Sequence, residues 1–258
     1  MPYLQVEGNR CYYRIAGSTD STARPLVFLH GSGGDSSVWY RQLPWQGNEL
    51  VVMPDLPGHG YSEGHVRGSV QEYARWLDDF LRTLLCAPCV LAGFSLGGMI
   101  AQAYALEYPQ TVRGIVLIST GMRVPIAPTF IEFVRNDFQK AAATSCDQAY
   151  APGTPPELSR HGLRMLLQNG GEIYYKDISA CTGFDSSTWI DRITLPCLII
   201  CGSLDPITPP ALSRELARRL PNASLEIITD AAHMVMQEQP ELFGLLVRKF
   251  VDRVFDKT

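Results

Sequence analysis

The stretch Gly93-Phe94-Ser95-Leu96-Gly97 joins two segments of unlike character, and that junction restricts the fold more than any other part of the chain. Before it, Cys89-Val90-Leu91-Ala92 is a short apolar run that reads as a buried strand. After it, Gly98 to Leu106 is rich in helix formers, and Pro109 stands just past its end. A serine on so sharp a strand-to-helix turn is held in strained backbone geometry, with its hydroxyl pushed clear of the sheet. The flanking glycines are needed because a Cβ at either position would crowd the turn. The helix starts directly beneath the serine, so its free amides and positive dipole end favour an anion forming there. These features predict a site for acyl transfer.

A serine hydroxyl is a poor nucleophile at neutral pH and needs an adjacent base, itself oriented by a third group. In a strand-serine-helix architecture the acid and then the histidine follow the serine along the chain. Of five histidines, only His161 and His233 follow Ser95, and the segment around His161 does not resemble part of a central sheet. His233 follows the strand-like run Ser224-Leu225-Glu226-Ile227-Ile228 and precedes a helix opening near Pro240-Glu241. It is therefore expected on a loop at the carboxyl end of a strand, where such folds keep their chemistry. Asp205 is expected as the acid, on the loop Gly202-Ser203-Leu204-Asp205-Pro206 that leaves the apolar run Leu198 to Cys201. The alternative role for Asp205 is to cap the helix that begins near Pro209-Pro210. Asp230 is nearer to His233 in sequence but shares its short loop, a poor position for reaching the far nitrogen of the ring.

Four separate motifs in order resemble those of the α/β-hydrolase superfamily. They are Phe28-Leu29-His30-Gly31-Ser32-Gly33-Gly34, Asp55-Leu56-Pro57-Gly58-His59-Gly60-Tyr61-Ser62, the Gly202 to Pro206 acid loop, and His233 with Glu238, Pro240 and Glu241. The resemblance implies an α/β fold whose mostly parallel sheet of about eight strands carries helices on both faces. It also implies an oxyanion hole built from the backbone amides of Leu96 and Ser32, with Gly33 as the alternative to Ser32. Ala232 stands where many relatives have Gly before the histidine. His30 and His59 precede the nucleophile and are expected to make structural hydrogen bonds across the loops.

Short apolar strands and helices alternate along most of the chain, which by itself implies a parallel sheet covered on both faces. One helix is expected around Trp39 and Leu43, and another from Val70 to Leu85 with apolar residues at helical spacing. Residues 122–187 break the alternation with helical stretches, aromatics such as Phe130, Tyr150 and Tyr174, and the segment Ala151-Pro152-Gly153-Thr154-Pro155-Pro156. The core is thus expected over 1–121 and 188–258. In the superfamily an insertion here forms a helical cap over the site. Met122, at its start, and Met234, beside the base, are expected to line the substrate pocket.

At 258 residues the chain is long enough for one large core. A formal charge of −4 with no basic run argues against nucleic acid or anionic membranes as partners. No apolar stretch is long enough to span a bilayer, and the start Met1-Pro2-Tyr3-Leu4-Gln5-Val6 lacks the regions of a signal peptide. Seven cysteines, an odd number, fit a reducing compartment, so a cytoplasmic protein is expected. Cys86-Ala87-Pro88-Cys89 has redox-motif spacing but no second pair for zinc, and Cys146 could approach Cys181 within the insertion. No metal or cofactor is implied, and the oligomeric state is not set by the sequence.

Serine as nucleophile separates the chain from epoxide hydrolases and haloalkane dehalogenases, which use Asp at this position. Carbon–carbon hydrolases of aromatic degradation typically carry Trp after the base, where this chain has Met234. Cleavage of small, largely apolar carboxylic esters is the most economical expectation. Lactonase, carbon–carbon hydrolase and cofactor-free haloperoxidase activities remain alternatives. So does a non-catalytic receptor for small ligands, whose mark would be a damaged triad or oxyanion loop.

Overall fold

The computed structural model describes residues 2–84 and 88–256. Leu85 and Cys86 lie outside them, so the end of the expected Val70–Leu85 helix and the Cys86–Cys89 spacing are not described. Eight strands form one sheet: β1 (Tyr3–Val6), β2 (Asn9–Gly17), β3 (Arg24–Leu29), β4 (Glu49–Pro54), β5 (Cys89–Phe94), β6 (Val112–Ile118), β7 (Cys197–Gly202) and β8 (Ala223–Ile228). Their order across the sheet is β1-β2-β4-β3-β5-β6-β7-β8. β2 pairs antiparallel with both β1 and β4, and every pairing from β4 through β8 is parallel.

Each central strand is buried on both faces, and its period of two divides the core into two. Val27, Leu29, Leu91, Ile115, Leu117 and Ile199 pack on one side, against α1 (Val70–Leu84), α2 (Leu96–Glu107) and α7 (Pro210–Arg219). Leu26, Phe28, Val90, Ala92, Val116 and Ile200 face the other side. There they meet α9 (Pro240–Phe255) and the segment around Trp39. That segment is a 3-10 helix, Ser36–Gln42, rather than an α-helix reaching Leu43. Asp35 fixes its start by accepting from the Ser37 amide at 2.7 Å, and Val38 and Trp39 anchor it in the core.

Between β6 and β7 the chain inserts four helices: α3 (Pro128–Asn136), α4 (Phe138–Ala149), α5 (Pro156–Asn169) and α6 (Gly171–Thr182). They hold a small core of their own around Val134, Ala141, Cys146, Leu166, Tyr174 and Ile178. Cys146 and Cys181 are buried free thiols, both pushed up to about 12 by burial. Among the described residues no helix is long and apolar enough to cross a membrane.

At the β5–α2 junction the backbones cross with no room for a side chain on either flanking glycine. A Cβ on Gly93 would fall onto the Gly97 carbonyl oxygen, and one on Gly97 would sit 2.5 Å from the carbonyl oxygen of Leu29. Both neighbours are backbone and cannot swing away. Gly93→Ala is therefore expected to destabilise the protein by roughly 3 kcal/mol, read as a lower urea midpoint at unchanged slope. A midpoint equal to wild type would show that the turn can relax.

Candidate active site

Ser95 closes β5 and opens α2 with φ 52° and ψ −114°, a conformation that non-glycine residues rarely adopt. Strain of this kind is on the order of 1–3 kcal/mol and persists only where the surroundings hold it. Here the Ser95 amide donates to Ile118 O at 2.9 Å. Its carbonyl accepts from the Thr120 hydroxyl at 2.9 Å and from the amides of Gly98 and Met99 at 2.9 and 3.2 Å. Every backbone group of the residue is thus engaged by β6 or by the first turn of α2. Its side chain is left to face a cavity.

Asp205 follows β7 and is almost fully buried. Its Oδ1 accepts from the amides of Ile207 and Thr208, each at 2.9 Å. Its Oδ2 accepts from the Thr208 hydroxyl at 2.7 Å and from His233 Nδ1 at 2.8 Å. Burial pushes this carboxyl up, but the adjacent imidazole and the Thr208 donors more than offset it. The group is held below the usual carboxylate range. Asp205 does not cap α7, whose N-cap is Pro209 with no side-chain bond; its Oδ1 instead holds the turn at Ile207 and Thr208, while Oδ2 meets the histidine.

His233 lies on the loop between β8 and α8 (Val235–Glu238), with its ring 4.9 Å from that of Phe94. Nδ1 of the ring is taken by Asp205, and His233 and Ser95 line the same cavity. Glu238 stiffens the loop that carries His233. Its Oε1 accepts from the Ala232 amide at 2.9 Å, while Oε2 accepts from the Ala151 amide at 2.8 Å. Asp230 sits in an exposed turn at φ 56°, its amide donating to Ser203 Oγ, and the carboxylate that meets the histidine is that of Asp205.

The Ser32 and Leu96 amides have no protein acceptor among the described residues, and Leu96 is the first residue of α2. The Gly33 amide, by contrast, donates to Asp177 at 2.7 Å. Of the two candidates on that loop, Gly33 is committed elsewhere.

The remaining histidines are structural or peripheral. His30 Nε2 accepts from the Leu56 amide at 3.0 Å, its Nδ1–H meets Gly31 O at 2.9 Å, and burial lowers it to about 4. His59 contacts Asp177, His65 is exposed, and His161 packs on Tyr40 with ring centroids 4.8 Å apart.

Two cavities meet at Ser95. One of about 120 Å³ is walled by Val38, Phe94, Tyr150, Met165, Leu166 and Met234. The other, about 230 Å³, is walled by Met99, Val124, Ile126, Phe130, Gln148 and Cys181. Ser32, Ser95, Ser145, Tyr174, Ile178 and Ile207 belong to both. Apart from the His233 imidazole, neither wall contains an ionisable acid or base of the Asp, Glu, Lys, Arg or His type. Met122 reaches neither cavity. Its carbonyl accepts from the Ser186 amide at 3.0 Å, which turns the chain inward and buries the side chain in the core beneath the insertion. Thr208 and Asp177 are the polar neighbours that sequence reasoning missed. Thr208 follows Asp205 by three residues, the spacing of a side-chain turn, and was findable on that ground.

Comparison with known proteins agrees with this architecture. A proline iminopeptidase of Clostridium botulinum is 26% identical, with 98% of this chain and 97% of that protein covered. A 3-oxoadipate enol-lactonase of Acinetobacter baylyi is also 26% identical, over 93% of this chain and 92% of its own length. The solved structure of a thermophilic esterase superposes with a TM-score of 0.87 at 28% identity, covering 98% of this chain and 97% of that one. A model of the alpha/beta hydrolase family matches residues 26–243, and with the sheet order, the strained serine turn and these relatives the chain belongs to that family.

Proposed function

We propose that this protein is a serine hydrolase that cleaves carboxylic esters of small, neutral, largely apolar substrates through an acyl-enzyme. The observation that carries the reading is the 2.8 Å contact from Asp205 to His233, a histidine that lines the same cavity as Ser95. In this mechanism His233 Nε2 takes the Ser95 proton as the hydroxyl oxygen attacks the ester carbonyl carbon. Asp205 holds the Nδ1–H tautomer and stabilises the imidazolium that forms. The oxyanion is received by the Ser32 and Leu96 amides, with the N-terminal end of α2 adding its dipole. His233 then returns its proton to the departing alkoxide, and water repeats the sequence to release the acid.

Residues 122–187 act as a cap in this reading, since α4, α5 and α6 supply much of both walls. Two chambers diverging from one serine suit an ester, whose acyl and alcohol parts extend to opposite sides of the reacting carbon. The walls also favour neutral groups. A substrate carboxylate buried there would have no cation to meet it, and a substrate ammonium no anion. An unpaired buried charge costs several kcal/mol. Met234 contributes to the acyl or alcohol wall, and Met122 only to the core beneath it.

Three outcomes follow. Ser95→Ala should lower hydrolysis of a short aryl ester by roughly three to six orders of magnitude in a folded protein. It should also abolish mass labelling by a serine-directed phosphonate. Turnover near wild type would remove Ser95 from the reaction. Asp205→Asn should cost roughly two to four orders of magnitude in kcat, because an amide favours the wrong imidazole tautomer. A silent Asp205→Asn beside a crippling Asp230→Asn would reassign the acid. Among matched aryl esters, butyrate should exceed succinate in kcat/KM by at least about tenfold, through the cost of burying the free carboxylate. Equal rates would place the acyl group outside these chambers.

A further inference from the structure

The loop from Gly31 to Asp35 is met from the insertion side by three side chains, those of Asp177, Cys181 and Asn169. Asp177, on α6, is fully buried. Its Oδ2 accepts from the Gly33 amide at 2.7 Å and from His59 Nε2 at 2.9 Å, and its Oδ1 accepts from the Tyr73 hydroxyl at 2.6 Å. Burial alone would push Asp177 up and His59 down, yet their mutual attraction leaves the carboxyl lowered and the imidazole raised. One turn further along α6, Cys181 Sγ lies 3.5 Å from Ser32 Oγ. Asn169, which ends α5, donates through Nδ2 to Gly33 O at 2.9 Å and Gly34 O at 3.0 Å, while its Oδ1 accepts from the Gly60 amide at 2.9 Å. On the core side, Gly31 O accepts from the Gly34 amide at 3.1 Å and from His30 Nδ1–H.

Both backbone polar groups of Gly33 are therefore held by the insertion, its N–H by Asp177 and its carbonyl by Asn169. The Gly33 N–H is part of the Ser32–Gly33 peptide unit, which adjoins the unit carrying the Ser32 N–H, so pinning the first constrains the orientation of the second. Without an acceptor, the buried Gly33 amide would be left unmatched, and the loop would turn to satisfy it.

We propose that Asp177, assisted by Asn169, is a positioning residue for ester hydrolysis: by engaging the Gly33 amide it aims the Ser32 amide at the developing oxyanion. This rests on the serine-hydrolase reading above. Asp177 touches no substrate and acts only through the loop. Its effect belongs to the transition state, where the oxyanion forms, and not to ground-state binding.

Steady-state kinetics with a short aryl ester test it, together with inhibition by a trifluoromethyl ketone, whose serine adduct places an oxyanion at the same point. Asp177→Ala should lower kcat by about 10- to 100-fold, less than the loss of a whole oxyanion donor, with KM within about threefold of wild type. Affinity for the ketone should fall in parallel with kcat. Asp177→Asn keeps a carbonyl oxygen for the Gly33 amide and should recover kcat to within about fivefold of wild type. A folded Asp177→Ala with wild-type kcat would overturn the proposal. So would an Asn variant as impaired as the Ala variant, since the charge and not the acceptor would then matter. If Asp177→Ala does not fold, Asn169→Ala carries the test. A severalfold drop in kcat at constant KM supports the proposal, and an unchanged kcat overturns it. A wild-type protein that hydrolyses no ester, or that a phosphonate does not label at Ser95, would instead overturn the parent reading.

Discussion

The backbone of Ser95 is held where an L-residue rarely rests, and the rest of the molecule is arranged to keep it there. β6 supplies the acceptor for its amide, Thr120 and α2 supply the donors for its carbonyl, and Gly93 and Gly97 leave the space in which the two backbones cross. The central parallel strands matter to function through this constraint. They are buried on both faces and densely packed, so they can oppose a local strain of about 1–3 kcal/mol without yielding. The reward is geometric: a side chain presented at the end of a helix whose first amide is unengaged.

Around that fixed point the electrostatics are divided between two buried carboxylates. Asp205 and Asp177 are each desolvated, and each remains ionised because a histidine and several N–H or O–H donors surround it. Asp205 sits beyond β7 and addresses the imidazole beside the serine. Asp177 sits within the insertion, on α6, and addresses the loop after β3. In the proposed chemistry the first serves proton transfer and the second serves the oxyanion, on opposite sides of one carbonyl.

Much of this was legible in the sequence because the relevant signals are local. The glycines around Ser95, the apolar runs that become β5 and β7, and the loop positions of Asp205 and His233 can all be read within a few residues. The buried alternation in β3 through β7 gives the two-faced parallel sheet in the same way. What escaped is non-local. Asp177 lies 144 residues from Gly33, 118 from His59 and 104 from Tyr73, and in sequence it is an acidic residue next to Lys176 on a helix, which reads as surface. Met122 escaped for a related reason: nearness in sequence to the end of β6 does not say whether the chain next rises over the site or turns inward. The bond between Ser186 and the Met122 carbonyl, 64 residues apart, turns it inward. Around Trp39 the helical segment was found, but it is a 3-10 helix that buries Trp39 and ends before Leu43, which is exposed.

The ties from Asp177 and Asn169 to the loop after β3 bear on how this chain can be recombined. Family members are often imagined as a constant sheet with exchangeable insertions. Here the sheet half carries three donors, at Gly33, His59 and Tyr73, whose shared acceptor resides in the inserted half. A chimera that imports another insertion inherits those donors without their carboxylate, and each would be stranded in a site closed to water. The transferable module is therefore larger than the four helices: it comprises the insertion together with residues 30–35, His59 and Tyr73, and a graft that respects that boundary keeps those three donors matched.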